Sequence, residues 1–353
     1  MSDSLEAVAA AFVPGQVQSS TPLGNGHIHA TFAVDMETED GPRAIVLQRL
    51  NTQVFTDPDA LMENMQRVAR HPGVAAWVPG LLATPEGKVL LRTPERECWR
   101  AWERVPNTES FDLVESVAAA REIGRAFGAF VSGLADLPGP PLHATLPDFH
   151  DTAARLAKLE AAIAEDRVAR VAEVRPEIEG LRRRASLTRA LDREALPERV
   201  IHADTKANNV LFDRATGRAV AVVDLDTVMS GLLAWDFGDL VRSAGNAALE
   251  DEADLAKVSL RIDVFGALAE GWFETAGALM TPAEQASLAV GPQVMTYELA
   301  VRFLTDFLEG DRYFRIRDPA HNLRRTRVHL HLLASMENQH QEMEAALHRA
   351  AGA

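Results

Sequence analysis

One stretch limits the possible fold more than any other: Ile201 to Asp226, IHADTKANNVLFDRATGRAVAVVDLD. It sets His202, Asp204 and Asn209 within eight residues, then passes through a turn and an apolar run to Asp224 and Asp226. Asp204 has the chemistry to accept a hydroxyl proton. Asn209 and Asp224 offer oxygens to a hard cation such as magnesium. A carboxylate, an amide oxygen and a second carboxylate on adjoining loops suit phosphoryl transfer from magnesium-ATP. The alternative is an Asx-rich turn joining two strands, which explains the polarity but does not need an aspartate at both ends of the hairpin.

The spacing His202-x-Asp204-x4-Asn209, followed by Asp224, resembles the catalytic loop of aminoglycoside phosphotransferases and choline kinases. HADTKANNVLFD, VVDLDTVMSG and WDFGDLVRSAGNAALEDEADLAKV resemble, more narrowly, the N-acetylhexosamine 1-kinase branch of that family. GNGHIHATF near the start and VRFLTDFLEGDRYF near the end agree, so the resemblance spans nearly the whole chain. It implies an α+β, two-lobed protein-kinase-like fold with a small mixed N-lobe and a larger, mainly helical C-lobe. It also implies ATP and Mg2+ as cofactors, with Asp204 as the base. His202 and Asp236 would support the loop, and Asn209 and Asp224 would hold the metal. Asp226, His27, Arg302 and Tyr313 would meet the substrate, and Gly24, Asn25 and Gly26 would form a flap over the nucleotide. His150 with Asp151, in FHDT, would border the sugar, although local capping explains that pair equally well.

Composition is consistent with this and excludes other classes. The 353 residues, 47% of them hydrophobic, suffice for two modest domains, each with its own core. Asp and Glu outnumber Lys and Arg by 51 to 36, a formal charge of −15, which disfavours nonspecific nucleic-acid binding. It does not exclude ATP, because local arginines and magnesium can neutralise phosphate. No apolar run reaches the length of a membrane span. MSDSLEAVAAAFVPG lacks the basic n-region of a signal peptide and reads as a short amphipathic helix. With Cys98 as the single cysteine, a cytoplasmic location is the default expectation.

Along the chain, strands are expected over Val17–Leu23, His27–Val34 and Ala44–Leu50, with the glycine turn between the first two. The third strand, AIVLQRL, has Gln48 and Arg49 where kinase-like folds carry a phosphate-contacting lysine, and alternation sends their side chains to opposite faces. Asp57-Pro58 starts a helix running to about Arg70, with Glu63 solvated on it. A hairpin is expected over Val78–Thr93 around Pro85-Glu86-Gly87, then a strand over Cys98–Arg104. Val105-Pro106-Asn107 marks the lobe boundary, giving an ATP-binding lobe over 1–105 and a catalytic lobe over 106–353. Helices are expected over Val114–Leu134, Thr152–Leu187 with an interruption at Arg175-Pro176, Trp235–Val241, Ala253–Ala276, Pro282–Leu288, Gln293–Leu308 and Ala320–Ala350, with a proline-rich loop over Asp136–His150.

Arg302 lies four residues from both Glu298 and Asp306, so an intrahelical ion-pair ladder competes with a pocket-facing role. Asp239 is either a second polar anchor or a first-turn helical acid. The partners expected are ATP and a small sugar, with no nucleic acid or membrane; the oligomeric state is open. Two further readings stay in view: a kinase for an aminoglycoside, choline or another small alcohol, and a nucleotide-binding pseudokinase.

Overall fold

Alternation along the third strand decides how the first lobe is built. In the computed structural model, which describes residues 2–24 and 28–352, Ile45 and Leu47 face one side of a sheet and Val46 and Gln48 the other. The first face is covered by α1 (Ser2–Phe12), whose Val8, Ala9 and Phe12 bury themselves against Val34, Met36, Ile45, Leu47, Trp99 and Ala101. The antiparallel sheet runs β1 (Gln16–Pro22), β2 (Ala30–Thr38), β3 (Gly41–Arg49), then β6 (Cys98–Glu103). The opposite face receives α2 (Pro58–Ala69). Asp57 caps that helix by accepting the Ala60 N–H at 3.0 Å, and Pro58 occupies a position where no amide hydrogen is needed.

The expected hairpin over Val78–Thr93 is not a hairpin. β4 (Leu81–Leu82) and β5 (Leu91–Arg92) do not pair with each other. They lie end to end along the free edge of β6, Leu81 opposite Trp102 and Leu91 opposite Trp99. The turn itself forms: the Gly87 N–H donates to the Thr84 carbonyl at 2.8 Å, and Gly87 takes φ 82°. The long edge of β6 offers both short strands a ladder.

The chain leaves the sheet through Arg104–Pro106 and enters a mainly helical lobe. β7 (Thr108–Glu109) pairs with β9 (Val210–Asp213), which pairs with β10 (Ala219–Val222); β8 (Arg199–Ile201) pairs with β11 (Met229–Gly231). These short ladders lie over a helical core. α3 (Val117–Gly133) packs against α7 (Ile262–Ala276) so closely that a Cβ on Gly124 would stand 2.1 Å from the Leu268 carbonyl oxygen. α6 (Leu233–Ala244) crosses α9 (Gly291–Glu309), which is buried along most of its length.

Helix ends depart from the periodicity in three places, and each has a local cause. The expected break at Arg175-Pro176 comes earlier. α4 (Thr152–Glu165) stops at Asp166, which turns left-handed at φ 39° and accepts the Arg170 and Val171 N–H groups at 2.9 and 3.0 Å. Arg175-Pro176 instead opens α5 (Arg175–Arg182). Residues 253–261 are not part of α7, because the Arg261 and Ala247 N–H groups bond to the carbonyls of Gly245 and Ser259. After α8 (Pro282–Ser287), the expected final helix divides into α10 (His321–Asn338) and α11 (His340–Gly352). At the junction, Gln339 donates its side-chain amide to the Leu260 carbonyl at 3.0 Å. The result is the expected α+β kinase-like fold, a sheet-rich N-lobe and a helical C-lobe. Among the described residues no helix is long and apolar enough to cross a membrane.

Candidate active site

The loop that carries Asp204 is suspended from one carboxylate. Asp236, in the first turn of α6, accepts the His202 and Ala203 N–H groups, both at 2.7 Å. Its carbonyl also accepts the Thr205 hydroxyl at 2.5 Å. Burial raises the Asp236 carboxyl to a pKa of about 7, against the pull of those amides. His202 is fully buried between the edges of Phe127 and Phe130. Its Nε2 bonds to the Val223 carbonyl at 3.0 Å, and its Nδ1 accepts the Asp204 N–H at 3.3 Å. Those partners fix the neutral tautomer with the hydrogen on Nε2, and burial lowers the ring's pKa. His202 therefore ties the loop to the strand that leads into Asp224.

Asp204 stands at the mouth of this loop beside Lys206, whose Nζ lies 2.8 Å from Oδ1 and 3.0 Å from Oδ2. Burial pushes the Asp204 pKa up, but the Lys206 ammonium outweighs it and holds the carboxyl below its ordinary value. Asn209 donates its side-chain amide to the Asp204 carbonyl at 2.9 Å, which turns its Oδ1 the other way. Asp224 adopts a left-handed backbone, φ 65° and ψ 59°, directly after β10. Burial, then the charges of Asp226 and Asp204, raise its carboxyl well above the ordinary value. Asp224 opens to the cleft, and a carboxylate crowded by two others is a donor set that suits a cation. Among the described residues no three His, Cys, Asp or Glu side chains converge on one point as a closed metal site. The oxygens of Asn209 and Asp224 would fit a hard cation such as magnesium.

Asp226 is engaged elsewhere. Arg100 on β6 reaches across from the N-lobe and donates Nη1 to Oδ1 at 2.7 Å and Nη2 to Oδ2 at 2.6 Å. His29 Nε2 lies 3.0 Å from Oδ1, while its Nδ1 accepts the Asn51 N–H. Burial would raise Asp226, but Arg100 and then His29 hold it well below the carboxylate range. Gln48 faces the same cleft; its Oε1 accepts Arg100 Nε at 2.8 Å and Trp102 Nε1 at 3.0 Å. Arg49 lies on the other face, paired with Glu97 at 2.6 Å and set over the Trp99 ring. Gly24 takes φ 73°, as a tight turn requires; Asn25, Gly26 and His27 lie outside the described residues. Glu63 is exposed, 2.9 Å from His143 Nε2.

On the opposite side of the catalytic loop, His150 bonds the Ala203 carbonyl at 3.1 Å and Glu298 at 3.0 Å. Burial lowers the His150 pKa, but the Glu298 carboxylate more than reverses this, and Thr152 donates to the other Glu298 oxygen. With Glu298 committed there, and Asp306 accepting the N–H groups of Arg312, Tyr313 and Phe314, the competing ion-pair ladder does not form. Arg302 instead lies among the rings of Phe149, Tyr313 and Phe314, at 5.1, 6.0 and 5.7 Å. Tyr313 is 57% exposed.

Behind Lys206, Asp239 accepts Arg242 Nε at 2.7 Å, and Arg242 Nη1 donates to Glu250 at 3.0 Å. His329 Nδ1 bonds to the Arg325 carbonyl, which leaves Nε2 as the acceptor facing Arg242; burial and Arg242 lower His329 to about 4. Burial raises Glu250, but Arg242, His329 and Arg325 bring it down to about 2. Glu250 adds stability in full above its unfolded pKa near 4.5, and loses it as pH falls toward 2. Glu250→Gln should therefore cost about 1–2 kcal/mol at pH 7, a figure discounted for the partly exposed side chain. The deficit should shrink as pH drops through that window. Thermal unfolding of both proteins from pH 7 to 2.5 checks this; a deficit independent of pH contradicts it.

Lys206, Arg100 and His29 are not singled out by sequence reasoning. Lys206 sits inside the quoted loop, two residues after Asp204, where spacing alone exposes it. Arg100 is the one buried charge inside CWRAWE, whose Glu103 is exposed; it lies on the same face of β6 as Trp102 and is a detectable anomaly in a buried strand.

A model of the phosphotransferase enzyme family (APH) matches residues 19–270. Solved structures agree with the fold over almost the whole chain. The chain is similar to a spectinomycin phosphotransferase solved with ADP and spectinomycin: 10% identity, 96% of this chain and 98% of that one covered, TM-score 0.63. It is similar to a microcompartment-associated aminopropanol kinase: 14% identity, 97% and 98% covered, TM-score 0.61. It is also similar to a choline kinase from Cryptosporidium parvum Iowa II: 11% identity, all of both chains covered, TM-score 0.57. With that family model spanning both lobes and the whole Asp204–Asp224 loop, the chain belongs to the phosphotransferase enzyme family and is an enzyme, a phosphotransferase acting on a small molecule.

Proposed function

We propose that this enzyme transfers the γ-phosphoryl group of ATP to the anomeric hydroxyl of an N-acetylhexosamine, giving the sugar 1-phosphate and ADP. The long stretches that resemble the hexosamine kinase branch support this choice of acceptor. The observation that carries it is the charge balance beyond the catalytic loop. Asp204 is matched by Lys206, Asp239 by Arg242, Glu250 by Arg242 and Arg325, and Glu298 by His150. Among the described residues Arg302 forms no ion pair there, and Arg155 has its pKa lowered by burial and then by Arg302. Arg302 and Arg155 thus bring two cations close to each other beside Tyr313, with Glu298 committed to His150. A cationic amine needs unmatched acid, whereas a neutral acetylated sugar can stack on exposed Tyr313 and accept hydrogen bonds from Arg302.

Asp204 orients the hydroxyl and takes its proton as the new O–P bond forms and the bond to the β-phosphate oxygen breaks. Lys206 keeps Asp204 ionised and brings a cation to the transferring phosphoryl group. Asn209 and Asp224 would hold magnesium, which when bound would offset the charge on the phosphates. Asp236 and His202 keep the loop in register. Gln48 lines the cleft beside Arg100.

Initial rates with N-acetylhexosamines, aminoglycosides and choline test the reading. A neutral acetylated sugar should be the saturable acceptor. Arg302→Ala should raise its KM at least about tenfold, roughly 1.4 kcal/mol of binding, with the KM for ATP unchanged. Preference for a cationic acceptor, or an unaltered sugar KM in the variant, contradicts it.

A further inference from the structure

The described cations of the N-lobe sheet divide sharply. Arg43, Arg49 and Arg92 lie on its outside, each paired with a surface acid. Arg100 alone among them turns inward, and its side chain is 1% exposed. Strand β3 supplies no lysine to the cleft, and Gln48, opposite Arg100 in the ladder, has no charge. We infer that Arg100 takes the place of that missing cation as a positioning residue. It clamps Asp226 across the two lobes and so sets the turn that presents Asp224.

The donors of Arg100 decide how it acts. Nε is given to Gln48, Nη1 to Asp226 and the Met65 sulfur, and Nη2 to Asp226. A guanidinium so committed does not reach out to phosphate; it works through Asp226. That residue is held three further ways. His29 meets its carboxylate, Thr145 donates to its carbonyl at 2.8 Å, and it lies in the short turn that follows Asp224. The left-handed backbone of Asp224 costs energy for a residue other than glycine, so neighbouring contacts must hold it there. A two-point contact between a planar guanidinium and a carboxylate fixes orientation as a single point charge does not. A buried ion pair adds little net stability over an apolar one, but losing one partner leaves an uncompensated charge, here two residues from Asp224.

The inference rests on the reading of Asp224 as the magnesium ligand, and the test separates the two. Calorimetry of magnesium-ADP binding, without acceptor, is run on wild type, Arg100→Gln, Asp226→Asn, the double variant and Asp224→Ala. Magnesium-ADP affinity should fall at least tenfold in Arg100→Gln and by a similar factor in Asp226→Asn. The double variant should be no worse than either single one, because both remove the same clamp. Arg100→Lys should recover only part of the loss. If Arg100→Gln does not fold, the double variant leaves no buried charge unpaired and decides the matter by the same tenfold criterion. Wild-type affinity in the folded Arg100 variants overturns the clamp. So does a loss in Asp226→Asn far beyond that in Arg100→Gln, which would make Asp226 a direct ligand. Wild-type affinity in Asp224→Ala instead overturns the metal reading itself.

Discussion

Asp204→Asn should leave a folded protein that binds magnesium-ATP and sugar but transfers phosphate at least about 100-fold more slowly, a loss of roughly 2.7 kcal/mol in transition-state stabilisation. The amide keeps the size of the side chain and its hydrogen bonds but cannot take the hydroxyl proton. The local structure refines the expectation. Lys206 loses its carboxylate partner in this variant, so its ammonium is freed toward phosphate and ATP affinity should hold or improve. His202→Ala should be less damaged in the chemical step, because the ring faces Val223 and two phenylalanines rather than the open cleft. Single-turnover transfer at saturating ATP and sugar, with binding and circular dichroism measured separately, gives the comparison. Near-normal transfer by folded, substrate-bound Asp204→Asn removes Asp204 as the base.

Asp224→Ala carries the second large effect. It should lose most of its turnover, about 100-fold or more, and any residual rate should need at least about tenfold more magnesium. Asn209→Ala should shift the magnesium curve in the same direction by less, since a water can replace one amide oxygen. The two losses should differ in kind from that of Asp204→Asn, which keeps its metal dependence while its chemistry fails. A correctly folded Asp224→Ala with the wild-type magnesium titration and rate would reject the assignment.

How much of this is legible in the chain depends on sequence distance. The loop that carries Asp204, Asn209 and Asp224 reads directly, because the three lie on one hairpin and their spacing is local. The division into a sheet-rich lobe and a helical lobe follows from period-2 alternation before Val105 and period-3.6 runs after it. The clamp on Asp226 does not read from sequence. Arg100 and His29 lie 126 and 197 residues away from it, and only the register of β3 on β6 and the closure of the lobes bring them together.

Helix limits fail for a related reason. Gln339 and residues 253–261 have helix-compatible patterns, but hydrogen bonds to distant backbone override local propensity. The spacing of Arg302 fits an ion-pair ladder as well as a pocket residue. What decides between them is Glu298 turning to His150, a partner on another helix-flanking loop.

The most direct test of the account is the position of the transferred phosphate. Wild-type enzyme, magnesium-ATP and a 13C-labelled N-acetylhexosamine are incubated to completion, and the product is read by phosphorus and carbon NMR. The account predicts phosphorus coupling to the anomeric carbon, the signature of a sugar 1-phosphate. Phosphate on C6, or no sugar phosphate from an enzyme that phosphorylates an amine-bearing alcohol instead, contradicts it.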